Sequence, residues 1–487
     1  MRRLPPWLVS VLLLASGVAG CDPHAPSRTF ATRSSAAQPA TGGALIEPPV
    51  LASRGGRLTV ELDAAPGSFA IGGEQFTGML YDGAYIPPVW RVRAGDILTV
   101  TLHNRLPEMT NLHFHGMEAP PGGNADNIFV HVQPGASFTY SFTVPEHSGL
   151  FWYHPHAHGR SSAQIIGGMS GAILVEGDER YYPFLAGLRA RLLLLKHIPH
   201  TQADYQELVT VNGQLAPTIS IRPGEVQLWR VANIGADLFL KIAVAGMPFY
   251  VVATDGHYLG HPTRMDEVLL GPGGRIEALV VGGRSGRYAF ESTPFVMEEG
   301  RPPLPGHALG TVVSEGPVAD VAAVASRVEA ETVDHSRYID VLRASPIARR
   351  RIMTFSRTGD RSKFFINQRQ FDEDRTDVRV NLGDVEEWTL VNADNQLHNF
   401  HIHQTEFLVT EIDGVPQRVD SLYDTFTLPA AKDGKPSTVK VVIPFTNPAI
   451  VGRFVFHCHV VKHEDKGMMQ TIEVVAPPAR RPRRRPR

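Results

Sequence analysis

The sequence predicts an all-β protein built from three copies of one sandwich or barrel. Two observations predict it: short strands of alternating apolar residues between Gly- and Pro-rich turns, and a turn-and-strand pattern that occurs three times. The 487 residues are too many for one hydrophobic core and suit about three domains.

The alternation is plain in Leu98-Thr99-Val100-Thr101-Leu102, and long helical periodicity is scarce. Each repeat opens on a turn, Arg93-Ala94-Gly95-Asp96, Arg222-Pro223-Gly224-Glu225 or Asn381-Leu382-Gly383-Asp384, followed by a strand that ends at Asn104, Asn233 or Asn392. The next strand reads His113-Phe114-His115 in the first copy, Ala243-Val244-Ala245 in the second and His401-Ile402-His403 in the third. A closing strand then runs from Gly149, Gly286 or Gly452 into His154-Pro155-His156, Glu291-Ser292-Thr293 or His457-Cys458-His459. Domains over 45–178, 179–330 and 331–476 follow, with 318–345 as a looser connection. Aromatics of the closing strands, such as Trp152 and Phe456, are expected in the core.

Hydrophobic residues make up 43% and charged residues 20%, which excludes a disordered chain or an integral membrane protein. The formal charge of −2 argues against a nucleic-acid partner. It hides six arginines within Arg480–Arg487, so the rest of the chain is more acidic; residues 477–487 read as a solvated Arg/Pro tail. At the other end, Arg2 and Arg3 precede an apolar stretch, Leu8 to Ala19, too short to span a bilayer but suited to a signal peptide over residues 1–20. It ends in Val18-Ala19-Gly20-Cys21, which resembles a bacterial lipobox. The expectation is export across the inner membrane to the periplasm or cell envelope, with a lipid on Cys21 as the only membrane contact and residues 21–44 as a flexible tether. No oligomer is required.

The chemistry lies in the outer repeats. In a strand, residues i and i+2 share a face, so His-x-His presents two imidazoles side by side. With 21 histidines in 487 residues, chance gives roughly one such pair. The chain has five, 113/115, 154/156, 156/158, 401/403 and 457/459, four of them at corresponding repeat positions. The middle copy has alanines at the first of these positions, so the fold tolerates the loss of the histidines.

The most specific signal is His457-Cys458-His459-x-x-x-His463-x-x-x-x-Met468. Thiolate, imidazole and a weak thioether are the donors of a blue copper centre, and His398 supplies the second imidazole. Alternation turns Cys458 toward His398, His463 and Met468, and turns His457 and His459 the other way, toward the remaining pairs. Zinc is the competing metal, but paired histidines beside a separate Cys/His/Met group fit no structural zinc pattern.

These four segments resemble the copper-binding signatures of the multicopper oxidases, and the resemblance covers nearly all of residues 45–476. It implies three cupredoxin-like Greek-key domains and four coppers per chain. By it, Cys458, His398, His463 and axial Met468 bind type 1 copper, and His113 and His401 bind type 2. One type 3 copper takes His115, His154 and His459; the other takes His156, His403 and His457. It further implies one-electron substrate oxidations at type 1 coupled to reduction of dioxygen to water. Glu464, in His463-Glu464-Asp465, and Asp126 are the expected proton donors. His158 is left a structural or supporting role. The 11 methionines are scattered, without a methionine-rich segment. That favours a laccase-like oxidase of phenols and aromatics over an oxidase of Cu(I) or Fe(II). A third reading is copper binding in the envelope without turnover. A copper nitrite reductase fits less well, because it lacks the type 3 pair.

Overall fold

The computed structural model describes residues 42–199, 207–331, 336–418 and 421–476. The signal segment, Cys21, most of the tether and the arginine tail lie outside the described residues. Among the described residues, no helix is long and apolar enough to cross a membrane.

Three cupredoxin-like β-sandwiches follow one another. The first pairs a five-stranded with a four-stranded sheet, and the second and third each pair a six-stranded with a five-stranded sheet. Strand pairing repeats from copy to copy: Arg57–Ile71 runs parallel to Ile97–Asn104, Arg189–Pro199 to Val226–Asn233, and Arg349–Arg357 to Val385–Asn392. Alternating strands such as Ile97–Asn104 put every second side chain inside. Each sandwich closes on its own core, with the indoles of Trp90, Trp229 and Trp388 fully buried. Truncating any of these to alanine removes about 3–5 kcal/mol.

The repeated turns are built alike. Gly95, Gly224 and Gly383 have φ of 83°, 74° and 100°, a region that glycine enters without strain. The next residue folds back, so that Asp96, Glu225 and Asp384 accept the amides of Arg93, Arg222 and Asn381. The asparagines at the strand ends pin the loops that follow. Asn104 donates to Glu108 and Val132 carbonyls, Asn233 to Leu238 and Leu270, and Asn392 to Gln396 and Pro429. In the outer copies these pinned loops deliver the chain to His113 and His398.

The register of the next two strands is the same three times over. His113 pairs with His154, Ala243 with Glu291, and His401 with His457. The middle sandwich therefore holds the same positions with no imidazoles.

Two departures concern the edges of the repeats. The stretch expected to be a loose connection contains two helices, Val321–Glu331 and Ser336–Ala344. Val321, Val324 and Val328 lie on one helical face and join the cluster of Tyr182, Phe184 and Tyr258, so tertiary packing forms a helix too short for periodicity to reveal. The second departure is the entry strand. The Leu45 amide donates to the Thr218 carbonyl at 2.9 Å and the Thr218 amide to the Gly43 carbonyl at 2.8 Å, so the chain enters along the middle sandwich before reaching the first.

Candidate metal centre

Eight buried histidines meet between the first and third sandwiches. His113–His115 and Gly149–His154 contribute from one side, His398–Ile402 and Gly452–Cys458 from the other. The donor atoms of His115, His154 and His459 lie within 4.8 Å of one another, as do those of His156, His403 and His457, and those of His113, His115 and His401. Across the interface, the rings of His113 and His403 stack at 3.9 Å, and so do those of His115 and His401.

In several of the rings a partner holds the outer nitrogen, which aims the other nitrogen inward. His113 Nδ1 meets Asp126 at 3.0 Å, His154 Nδ1 meets the Pro155 carbonyl at 2.9 Å, and His401 Nδ1 meets the Asp424 carbonyl at 2.8 Å. The Nε2 atoms of these three rings are buried without a hydrogen-bond partner. His115 is turned round: its Nε2 meets Asp424 Oδ1 at 3.0 Å and its Nδ1 faces His459 Nε2 at 3.2 Å. His457 Nε2 lies 3.2 Å from His156 Nε2 and 3.1 Å from His403 Nε2. Glu464 sits behind that trio, 3.2 Å from His457 Nδ1 and 3.6 Å from His156 Nδ1.

The second group lies on the opposite face of the strand that carries His457. Cys458 Sγ is 3.5 Å from His398 Nδ1 and 3.6 Å from His463 Nδ1, and the two nitrogens are 3.2 Å apart. Met468 is fully buried in the same core, and its carbonyl accepts the Cys458 amide at 3.0 Å. Asp394 backs His398 at Nε2, 3.3 Å away. Phe364 stacks on His463 at 4.2 Å, and the Gln396 amide lies 3.3 Å from His463 Nε2.

Electrostatics suit both groups to a metal. Burial lowers the pKa of all ten imidazoles, so they stand neutral with free lone pairs. Burial pushes the Cys458 thiol up to about 12, so a thiolate there needs a cation against it. Unpartnered inward nitrogens, a soft sulfur and paired imidazoles form a donor set for copper. His158 packs on Phe371 at 4.7 Å and is absent from the His groups given above.

The sequence did not point to Asp424, Arg275 or Gln404. Asp424 holds His115 and is itself gripped by Arg275 of the middle sandwich. Gln404 donates to Asp126 Oδ2 at 2.6 Å, while the Phe114 amide donates to Oδ1 at 3.0 Å. Gly273, also from the middle sandwich, lies so close that a Cβ there would be 3.1 Å from His115 Cε1 and 3.3 Å from His459 Nε2. The copy that has no histidines at the repeat positions thus closes the cluster. No spacing or periodicity marks these residues.

Family models described as multicopper oxidase match residues 66–180, 152–316 and 346–477. A multicopper oxidase of Staphylococcus aureus is 25% identical over 416 residues, covering 81% of this chain and 83% of that protein. A multicopper oxidase of Campylobacter jejuni, described as a metallo-oxidase, superposes with a TM-score of 0.73 at 23% identity, over 90% of this chain and 96% of that one. A laccase-like multicopper oxidase of Ochrobactrum sp., described as active on lignin model compounds, gives 0.72 at 22% identity, over 88% of this chain and all of that one.

Proposed function

The chain belongs to the multicopper oxidase family, and from that premise we propose that it is a laccase-like enzyme oxidising phenols and other aromatics at the expense of dioxygen. In this reading Cys458, His398, His463 and Met468 hold type 1 copper, and His113 and His401 hold type 2. His115, His154 and His459 hold one type 3 copper, and His156, His403 and His457 hold the other. Bound copper supplies a one-electron acceptor at the Cys458 group and four-electron reduction of dioxygen to water at the histidine cluster.

The chain's own residues do the rest. Cys458 lies between His457 and His459 on one strand, so a single short backbone path joins the two groups. Glu464 and Asp126 are buried carboxyls in contact with cluster imidazoles, positioned to hold and deliver protons. Burial raises both, Asp126 to about 7.

The observation that carries the substrate class is the charge around His463. After burial and the neighbouring His398 ring, the cations Arg357, Lys462 and Lys466 hold its pKa down. Arg357 pairs with Asp394 at 2.7 Å and Lys462 with Asp237 at 3.3 Å, while Lys466 donates to the Arg361 carbonyl at 3.0 Å and lies over the Phe364 ring at 5.8 Å. Phe364 and the Gln396 amide border the imidazole. An electropositive, aromatic edge favours an electron-rich phenol over Cu(I) or Fe(II). Oxygen uptake by the copper-loaded protein tests this, comparing 2,6-dimethoxyphenol with Cu(I) and Fe(II). We expect kcat/KM for the phenol to exceed the others at least tenfold. Faster uptake with either metal ion supports the metallo-oxidase reading, and four bound coppers without uptake support a copper-binding protein. On the sequence pattern alone, we also propose export to the cell envelope with a lipid on Cys21.

A further inference from the structure

Away from the copper ligands, a cavity of about 430 Å³ opens where the three sandwiches and the helix Ser336–Ala344 meet. Glu118, from the loop after His113–His115, and Glu406, from the loop after His398–Ile402, meet carboxyl to carboxyl in its lining. His147 arrives from the loop before Gly149–His154, and His257 from the first residue of the strand His257–Met265 of the middle sandwich. Two carboxyls and two imidazoles thus converge from three domains.

Their geometry is that of prepared ligands. Asn447 Nδ2 donates to Glu118 Oε2 at 3.2 Å, and the Tyr338 hydroxyl donates to Glu406 Oε1 at 3.1 Å. These bonds orient the carboxyls as supporting partners do around metal ligands. The other Glu118 oxygen, Oε1, has no hydrogen-bond partner, although Glu118 is only 7% exposed and lines the cavity. His147 Nε2 stands 3.3 Å from that oxygen. The donor atoms of the histidine cluster stand at the same spacing, 3.1 and 3.2 Å in the His156/His403/His457 trio. The His147 and His257 rings meet edge to face at 5.5 Å.

We propose that this cavity is a further metal site, separate from the coppers, in which Glu118, Glu406, His147 and His257 bind one divalent transition-metal ion of the zinc class. Mixed imidazole and carboxylate donors suit Zn(II), and nothing in the set is soft enough to select Cu(I). Two carboxyls buried face to face call for a positive charge between them. That demand is visible at His147, pushed up to about 9, chiefly by Glu118. Such an ion would tie the loops behind His115 and His403 to the middle sandwich, and bind the folded chain only.

The test uses the copper-loaded full chain, titrated with Zn(II) by calorimetry, with bound zinc and copper counted by mass spectrometry. The expected result is one zinc beyond the full copper complement and a thermal midpoint that rises with zinc. His147→Ala and Glu406→Gln should each weaken that zinc at least tenfold, with copper content and the blue absorption retained. The His147 side chain is 35% exposed, so its variant folds even where Glu406→Gln does not, and it then decides alone. Absence of saturable zinc binding overturns the proposal. So does equal zinc binding by wild type and His147→Ala, which would assign the ion to histidines elsewhere.

Discussion

Arg275, in the middle sandwich, grips the carboxylate of Asp424 in the third, with Nη2–Oδ2 at 2.5 Å and Nη1–Oδ1 at 3.2 Å, and Asp424 in turn holds His115 of the first. Burial alone would raise the Asp424 carboxyl, but the charge and hydrogen bonds of Arg275 outweigh it and keep it below the ordinary value. One buried ion pair therefore couples all three domains to the orientation of two ligand rings.

Asp424→Asn should cost about 10–100-fold in copper affinity, the usual loss when the partner of a ligand imidazole is removed. Arg275→Gln should destabilise the fold by about 3–5 kcal/mol, because it leaves a buried carboxylate unpaired. Copper retained after dialysis against a chelator measures the first, and denaturant unfolding of the apoprotein measures the second. Wild-type copper retention in Asp424→Asn would show that the carboxylate serves the fold alone.

The shared register of His113, Ala243 and His401 predicts an unequal response to mutation. His115→Ala or His403→Ala should abolish dioxygen reduction and lower copper content. Ala243→Ser should leave both intact, since its strand partner is Glu291 and no imidazole faces it. Metal analysis with oxygen uptake checks both, and copper loss in Ala243→Ser would mean that the three repeats are misaligned.

Much of this was legible in the chain. Alternating strands and glycine turns carry local information, so three all-β copies could be read, along with the facing of Cys458 against His457 and His459. The helices Val321–Glu331 and Ser336–Ala344 escaped because each forms against a surface that only the folded domains create. Asp424 and Arg275 escaped for the same reason: they are 149 residues apart, and a single carboxylate or guanidinium has no spacing to betray it.

Glu464 touches two cluster imidazoles and is completely buried, a position that serves both proton delivery and ring orientation. Glu464→Gln separates the two, because the amide keeps the shape and loses the acid. In stopped flow, substrate should bleach the blue centre at the normal rate while reoxidation by dioxygen slows at least tenfold. Slow bleaching with normal reoxidation would instead assign Glu464 to the substrate side.

We propose Cys458, with His398 and His463 at 3.5 and 3.6 Å, as the thiolate of a blue copper centre distinct from the histidine cluster. The direct measurement is the visible spectrum and copper count of Cys458→Ser beside the wild type. The wild type should hold four coppers and show an intense blue band, and the variant should retain three coppers with no blue band, because a hydroxyl cannot supply the charge-donating sulfur. A serine variant that stays blue would contradict it.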